Sequence, residues 1–222
     1  MATQWTGLGD GFTWEDATNW DNGVPGGTFN DSVIPFGNVV CVSSNPGTCG
    51  LAGGTLTFAS GATNPSGSTV SGSATFIDSS SNSGIITGDA TFNNSTYNEG
   101  SILGNATFNN SAYHGTAGTI SGNATFNGST GSYGSVSGNA TFNDFGSLIN
   151  PGSVLGNATF NDLSSISSGA MYLVQSTIFL QGVRVGENIE STNTSFRIHL
   201  TGVPEGGGGG GAVSFGGGLS IS

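Results

Sequence analysis

Between Ser68 and Ser164 the chain repeats one phrase six times: STVSGSATFI, GIITGDATFN, GSILGNATFN, GTISGNATFN, GSVSGNATFN and GSVLGNATFN. The glycine before each x-A-T-F stands at 72, 88, 104, 122, 138 and 156, so the steps are 16, 16, 18, 16 and 18 residues. A near-fixed step of this size, punctuated by glycine and without helical periodicity, marks a solenoid whose turns bury their apolar faces against one another. The expected fold class is therefore all-β, a parallel β-helix (β-solenoid) with 16–18-residue coils.

Side chains alternate along a strand, which sorts the phrase into faces. If Phe108 points inward, so does Ala106, and Asn105, Thr107 and Asn109 point outward. Phe76, Phe92, Phe108, Phe126, Phe142 and Phe160 then form an internal column. Ala74, Ala90, Ala106, Ala124, Ala140 and Ala158 form a second. A third comes from the preceding short strand: Val70, Ile86 or Ile85, Ile102, Ile120, Val136 and Val154. The glycine between the two strands allows the corner. Outside runs a ladder of Thr75, Thr91, Thr107, Thr125, Thr141 and Thr159, flanked by asparagines before the Ala and after the Phe. Identical amides in register bond along a stack and support it. The two-residue insertions fall between the Phe and the next G-[ST]-[IV], so they leave both strands in phase. About six to eight coils at ~4.8 Å each give a rod roughly 30–40 Å long.

Composition agrees with a thin core. Hydrophobic residues are 34% and charged residues 7%, with 41 glycines among 222 residues; disorder would require more charge. The net charge is −11, Arg184 and Arg197 are the only Lys or Arg residues, and there is no lysine. Such a chain lacks the basic footprint that phosphate backbones or anionic lipid surfaces require, so neither nucleic acid nor membrane is an expected partner. No apolar run approaches transmembrane length. The opening MATQWTGLGDGF has no basic n-region and no apolar h-region, and the expectation is a soluble product made in a cytoplasm without an export tag.

Four regions follow: an N-terminal cap over 1–36, the solenoid over 37–168 with regular repeats in 68–164, a C-terminal β cap or interface over 169–203, and a Gly-rich tail over 204–222. The cap holds Trp5, Trp14 and Trp20, bulky enough to plug the apolar end of a first coil. A calcium site from Asp10, Asp16 and Asp21 is the sharper alternative there, but the spacing fits no calcium loop. Cys41 and Cys49 enclose V-S-S-N-P-G-T, whose turn is able to bring two strand ends within disulfide reach; two separate thiols fit the sequence equally. The strands in 169–203 are longer and more apolar, which fits a lid, an oligomer interface, or both. Candidate interface residues are Tyr172, Phe179, Arg184, Phe196, Arg197 and Phe215, the last on a tail suited to fold onto a neighbouring subunit.

No catalytic constellation emerges. Polysaccharide-cleaving chemistry needs acids clustered with Arg, Lys or His, whereas Asp78, Asp89, Glu99, Asp144 and Asp162 fall at different points of different coils. His114 and His199 have no carboxylate or serine partner in sequence and read as surface or packing residues. A zinc site needs more ligands than His114 and His199 supply. The expectation is a non-enzyme without metal or cofactor.

The cap sequence W-T-G-x-G-D-G-x-x-W-x-D-A-x-N-W-x-x-G-V-P-G, followed by D-S-V-I, resembles the opening of β-helical passenger segments in large bacterial surface proteins. It is also similar to openings of β-helical structural proteins of bacteriophages. The likeness covers about the first 35 residues, and fold does not by itself fix function. What it implies, for a short chain without an export tag, is a virion structural protein: a phage capsid decoration (cement) protein or a tail-spike component. Such a protein assembles in the host cytoplasm and is extracellular when mature. It contacts other virion proteins, such as the major capsid protein, and forms a symmetric homo-oligomer, a trimer above all. The alternatives are a bacterial surface adhesin module and an ice-binding solenoid that uses the outward Thr/Asn face.

Overall fold

The computed structural model describes residues 3–24, 32–42, 49–51, 54–144, 147–149 and 153–160, and beyond them the backbone of seven strands between 165 and 221. The chain winds as a succession of short strands that build three parallel sheets of eleven, eleven and eight strands. The first, called here the Val/Ile sheet, contains Thr69–Ser71, Ile85–Ile86, Ser101–Ile102, Thr119–Ile120, Ser135–Val136 and Ser153–Val154. The second, the Phe sheet, contains Ala74–Phe76, Ala90–Asn93, Ala106–Asn109, Ala124–Asn127, Ala140–Asn143 and Ala158–Phe160. The third runs through Thr63–Asn64, Ser81–Asn82, Tyr97–Asn98, Tyr113–His114, Gly131–Ser132 and Ser147–Ile149. This is the parallel β-solenoid that the repeat demands.

Register is strict. Ala90 pairs with Ala106, Thr91 with Thr107, Phe92 with Phe108 and Asn93 with Asn109, and the next coils repeat the match across an 18-residue step. The interior is built from the three expected columns. Phe58 extends the Phe column by one coil, and from Phe58 to Phe142 successive rings lie 4.6–4.9 Å apart and within 9° of parallel. That distance is the spacing of hydrogen-bonded strands, so the backbone ladder sets the stack. Each buried ring contributes about 1.5–3 kcal/mol of apolar burial. The side chain of Phe160 lies outside the described residues; its backbone pairs with Phe142. Of the two isoleucines at 85 and 86, Ile86 enters the core and Ile85 stays 40% exposed.

Each corner has its own chemistry. Between the Val/Ile and Phe sheets the repeat glycine lets two backbones touch: a Cβ on Gly122 would sit 2.5 Å from the Gly104 carbonyl oxygen. After the Phe sheet the chain turns through left-handed residues. Asp78, Ser79, Asn94, Ser95, Asn110, Ser111 and Asp144 have φ of 45–68°. Asn and Asp tolerate this region better than other L-residues, which explains the N-S or D-S pair that follows F-N or F-I. From Phe to the third sheet the offset is always six residues (58 to 64, 76 to 82, 92 to 98, 108 to 114). The variable corner is the last one, from the third sheet back to the Val/Ile sheet. There His114–Ile120 is two residues longer than Asn98–Ile102.

The N-terminal segment covers the open edges of the first coil. Thr3–Gln4 adds a parallel strand to the Val/Ile sheet, and Thr13 bridges Val40 at the edge of the Phe sheet, with Trp14 N–H donating to Val40 O. Trp5, Trp14 and Trp20 are buried, with edge-to-face ring contacts at 5.1 and 4.6 Å, and Trp20 Nε1 donates to Trp14 O. At the other end, Met171–Leu173, Thr177–Gln181, Arg184–Val185, Ile189–Ser191 and Arg197–Thr201 continue the same three sheets in parallel. Tyr172, Phe179, Arg184 and Arg197 lie on these strands. Their side chains, and Phe196 and Phe215 altogether, fall outside the described residues.

Candidate functional site

Three features of the described coils could carry function: the outer Thr/Asn face, an interior polar ladder, and the cap. The outer face belongs to the Phe sheet. Its Thr column is half-buried between two asparagine columns. The column after the Phe is an amide ladder: Asn109 Nδ2 donates to Asn93 Oδ1 at 2.9 Å, Asn127 to Asn109 at 2.8 Å, and Asn143 to Asn127 at 2.9 Å. The column before the Ala works differently. Each of these side chains accepts from the backbone N–H one coil on: Asn123 N to Asn105 Oδ1, Asn139 N to Asn123 Oδ1, Asn157 N to Asn139 Oδ1, at 2.8–2.9 Å. Asp89 takes the same role toward Asn105 N at 2.7 Å. Both columns therefore brace the stack while presenting a regular surface.

The interior ladder is not visible in the repeat phrase. Inward from the third sheet point Asn64, Asn82, Asn98, His114 and Ser132, all fully buried. Asn64 Nδ2 donates to Asn82 Oδ1 at 2.7 Å, and Asn82 Nδ2 to Asn98 Oδ1 at 2.7 Å. The second amide proton of each serves a corner carbonyl: Asn82 reaches Gly84 O at 3.4 Å and Asn98 reaches Gly100 O at 3.3 Å. The ladder ends on His114, whose Nδ1 stands 3.1 Å from Asn98 Nδ2 and whose Nε2 stands 3.4 Å from Ser135 O. Because Asn98 Nδ2 is a donor, Nδ1 must accept, and the imidazole is the neutral Nε2–H tautomer. Burial pushes its pKa down to about 4, against weaker upward pulls from its backbone neighbours and Glu99. His114 is thus a packing residue with a defined polar task. The sequence signal that would have found the ladder is the constant six-residue offset from the Phe.

In the cap, Asp10 accepts from Phe12 N, Thr13 N and Asn19 Nδ2, and bonds from Thr13 and the Phe12 amide hold its carboxyl well below the usual range. Asp16 accepts from Thr18 Oγ1 and is lowered chiefly by that bond; Asp21 is lowered chiefly by Gln4 N–H. These carboxylates knit turns together. No group of three or more His, Cys, Asp or Glu able to hold a metal occurs among the described residues. Cys41 and Cys49 are buried thiols in register with the Phe and Val/Ile columns (opposite Phe58 and Val70). Cys41 Sγ lies 3.5 Å from Glu15 Oε1, which also accepts from Val42 N at 3.0 Å.

Apolar exposure is uneven. Leu8 is 84% exposed, Phe12 55% and Phe36 53%, all in or beside the cap. On the coils, Leu103, Leu155 and Ile85 are exposed on or beside the Val/Ile sheet, Tyr97 and Tyr113 lie partly exposed in register on the third sheet, and burial with the neighbouring Glu99 pushes the Tyr97 hydroxyl upward. Comparison with known proteins returns no match: no family model, no curated protein and no solved structure is similar to the chain.

Proposed function

We propose that the protein is a non-enzymatic structural component of a virus particle, a capsid decoration protein or part of a tail, in which the solenoid is a rigid spacer and the terminal regions dock. The observation that carries this reading is the exposed apolar group at the cap. Leu8, Phe12 and Phe36 stand exposed beside the tryptophan cluster, whereas along the coils the asparagine side chains are used in bonding one turn to the next. Exposed apolar groups rimmed by polar ones fit a protein partner, and the −11 charge fits a surface that avoids nucleic acid and non-specific adhesion. The partner in this reading is the major capsid protein or a neighbouring tail protein, and the assembly is a homotrimer on a symmetric site.

The test is quantitative mass spectrometry of purified virions. A fixed ratio to the major capsid protein is expected, and an L8S/F12S/F36S variant is expected to fold with unchanged melting temperature yet drop out of the particle. Absence from virions, with export by the producing cell, would favour a surface adhesin instead. A second reading rests on the half-exposed, in-register Thr column of the Phe sheet: a flat hydroxyl and methyl array suited to an ice surface. Thermal hysteresis by the pure protein, abolished by T107Y/T125Y, would put that reading first.

A further inference from the structure

We propose that the His114 corner is an acid-sensitive joint: protonation of its imidazole breaks the interior ladder and releases the third-sheet segment from Tyr113 to Gly118, while the Phe sheet holds. The geometry rests on direction. From Asn64 through Asn98 the chain of Nδ2 donors points toward His114. Nδ1 receives the last donor and Nε2–H gives its proton to Ser135 O, so the neutral ring satisfies both neighbours. A second proton has only Nδ1 to occupy, where it faces the Asn98 amide hydrogens. A buried donor against a donor loses its bond and repels, and the charge is desolvated as well.

What surrounds the ring offers limited relief: of the two backbone carbonyls that favour the charged form, Ser135 O already faces Nε2 and Asn98 O already accepts from Gly115 N at 2.8 Å. Phe108 lies at 5.7 Å between ring centroids, and the Gly118 and Gly134 backbones approach the imidazole closely. Ser132 Oγ is buried and has no hydrogen-bond partner. Glu99 is the one charged group that acts on the ring among the described residues. Its Oε2 accepts from Ala117 N across the same corner, so it is engaged in holding the loop closed. Tyr97 and Tyr113 lie partly exposed on the outer side of the same sheet. The two-residue strands of the third sheet make fewer ladder bonds than the four-residue strands of the Phe sheet, so release is local.

The corner also shows what the joint replaces. Asn64 occupies the equivalent position in a corner of the same length, 64 to 70 against 114 to 120. Ser68 N bonds to Pro65 O there at 3.1 Å, as Gly118 N bonds to Gly115 O at 3.0 Å. Asn64 Nδ2 reaches Ile85 O at 3.5 Å, the counterpart of the His114 contact with Ser135 O. An asparagine at 114 therefore has a template in the same molecule, one that keeps the ladder and removes the titrating group.

The sign is fixed by linkage. A base whose pKa falls from 6.5 unfolded to about 4 folded leaves the closed state fully favoured above pH 6.5 and weakens it progressively as pH falls from 6.5 to 4, below which the loss levels off. The ratio of open to closed rises about 30-fold at pH 5 and about 300-fold below pH 4. The experiment is amide hydrogen exchange of the full chain at pH 7.5 and 4.5, corrected for intrinsic rates, in the wild type and H114N, with histidine ring resonances followed by NMR. Expected is a loss of protection of tenfold or more over 96–98, 113–118 and 130–136 at pH 4.5 in the wild type but not in H114N, with the Phe-sheet strands 74–76, 106–109 and 124–127 unchanged in both. Equal loss in the two proteins, or a His114 resonance that titrates near 6.5, would overturn the proposal. Should H114N fail to fold, H114Q keeps an amide in the ladder and gives the same comparison.

Discussion

The interior ladder makes Asn98 the side chain whose removal is most informative. Asn98→Ala deletes three hydrogen bonds at once: the donor from Asn82 at 2.7 Å loses its acceptor, and His114 Nδ1 and Gly100 O lose their donor at 3.1 and 3.3 Å. The site is fully buried, so water does not take the vacated places without opening the coil. A buried polar group left unmade costs about 1–3 kcal/mol. Asn82 Nδ2 keeps its contact with Gly84 O at 3.4 Å, which softens one of the three losses. The expected destabilisation is about 3–5 kcal/mol, read as a lower urea midpoint at unchanged m-value. The matched control is Asn109→Ala in the outer ladder, where water reaches the orphaned amides and the expected cost is below about 1 kcal/mol. If the two variants lose the same stability, or Asn98→Ala loses less than about 1 kcal/mol, the inward amides are not what holds the third sheet.

Other consequences can be checked in the same assay. Phe108→Ala empties the middle of the ring stack, between Phe92 at 4.8 Å and Phe126 at 4.9 Å, and is expected to cost about 3–5 kcal/mol. Gly122→Ala places a Cβ against the Gly104 carbonyl, so the strand spacing must open, and a melting temperature several degrees lower is expected. Gly61→Ala, where φ is +85° but the space is open, pays backbone strain alone and is expected to cost only about 1–2 kcal/mol. Trp14→Ala removes a fully buried ring from the tryptophan cluster and is expected to cost about 3–5 kcal/mol and, by loosening the segment that covers the Phe-sheet edge at Val40, to promote association through that strand, seen as a larger species in light scattering.

The columns of Phe, Ala and Val/Ile were legible because apolar residues recur at a fixed step and alternate with polar ones inside each strand. The third sheet was not, for a physical reason. Its described inward residues are Asn64, Asn82, Asn98, His114 and Ser132, and polar residues in a varied Gly/Ser context read as loop. Binary patterning assigns such residues to the outside; here amide-to-amide bonding along the stack removes the cost of burying them. His114 illustrates the point, since its sequence neighbours give no partner while its real partners, Asn98 and Ser135, lie one coil away on either side. The left-handed corners at Asn-Ser after Phe-Asn were not legible in the sequence, because a positive φ is a preference of Asn and Asp and not a requirement. The Thr face was legible in register but not in its bracing, which depends on Asn105 and its kin reaching a backbone N–H of the next turn.

The constant six-residue path from each Phe to the third sheet, followed by a corner of either length, has a consequence for how such a chain changes size. Between Asn64 and Asn98 every described ladder links a residue to its equivalent one step on, so a duplicated coil from this stretch finds partners above and below whatever residue the duplication starts from. Its Phe joins the stack, its Asn joins the amide chain in the correct direction, and neither the tryptophan cluster nor the histidine terminus is touched. The distance between the two ends of the rod can therefore be reset in increments of about 4.8 Å by copying text already present, while the surfaces at those ends keep their chemistry.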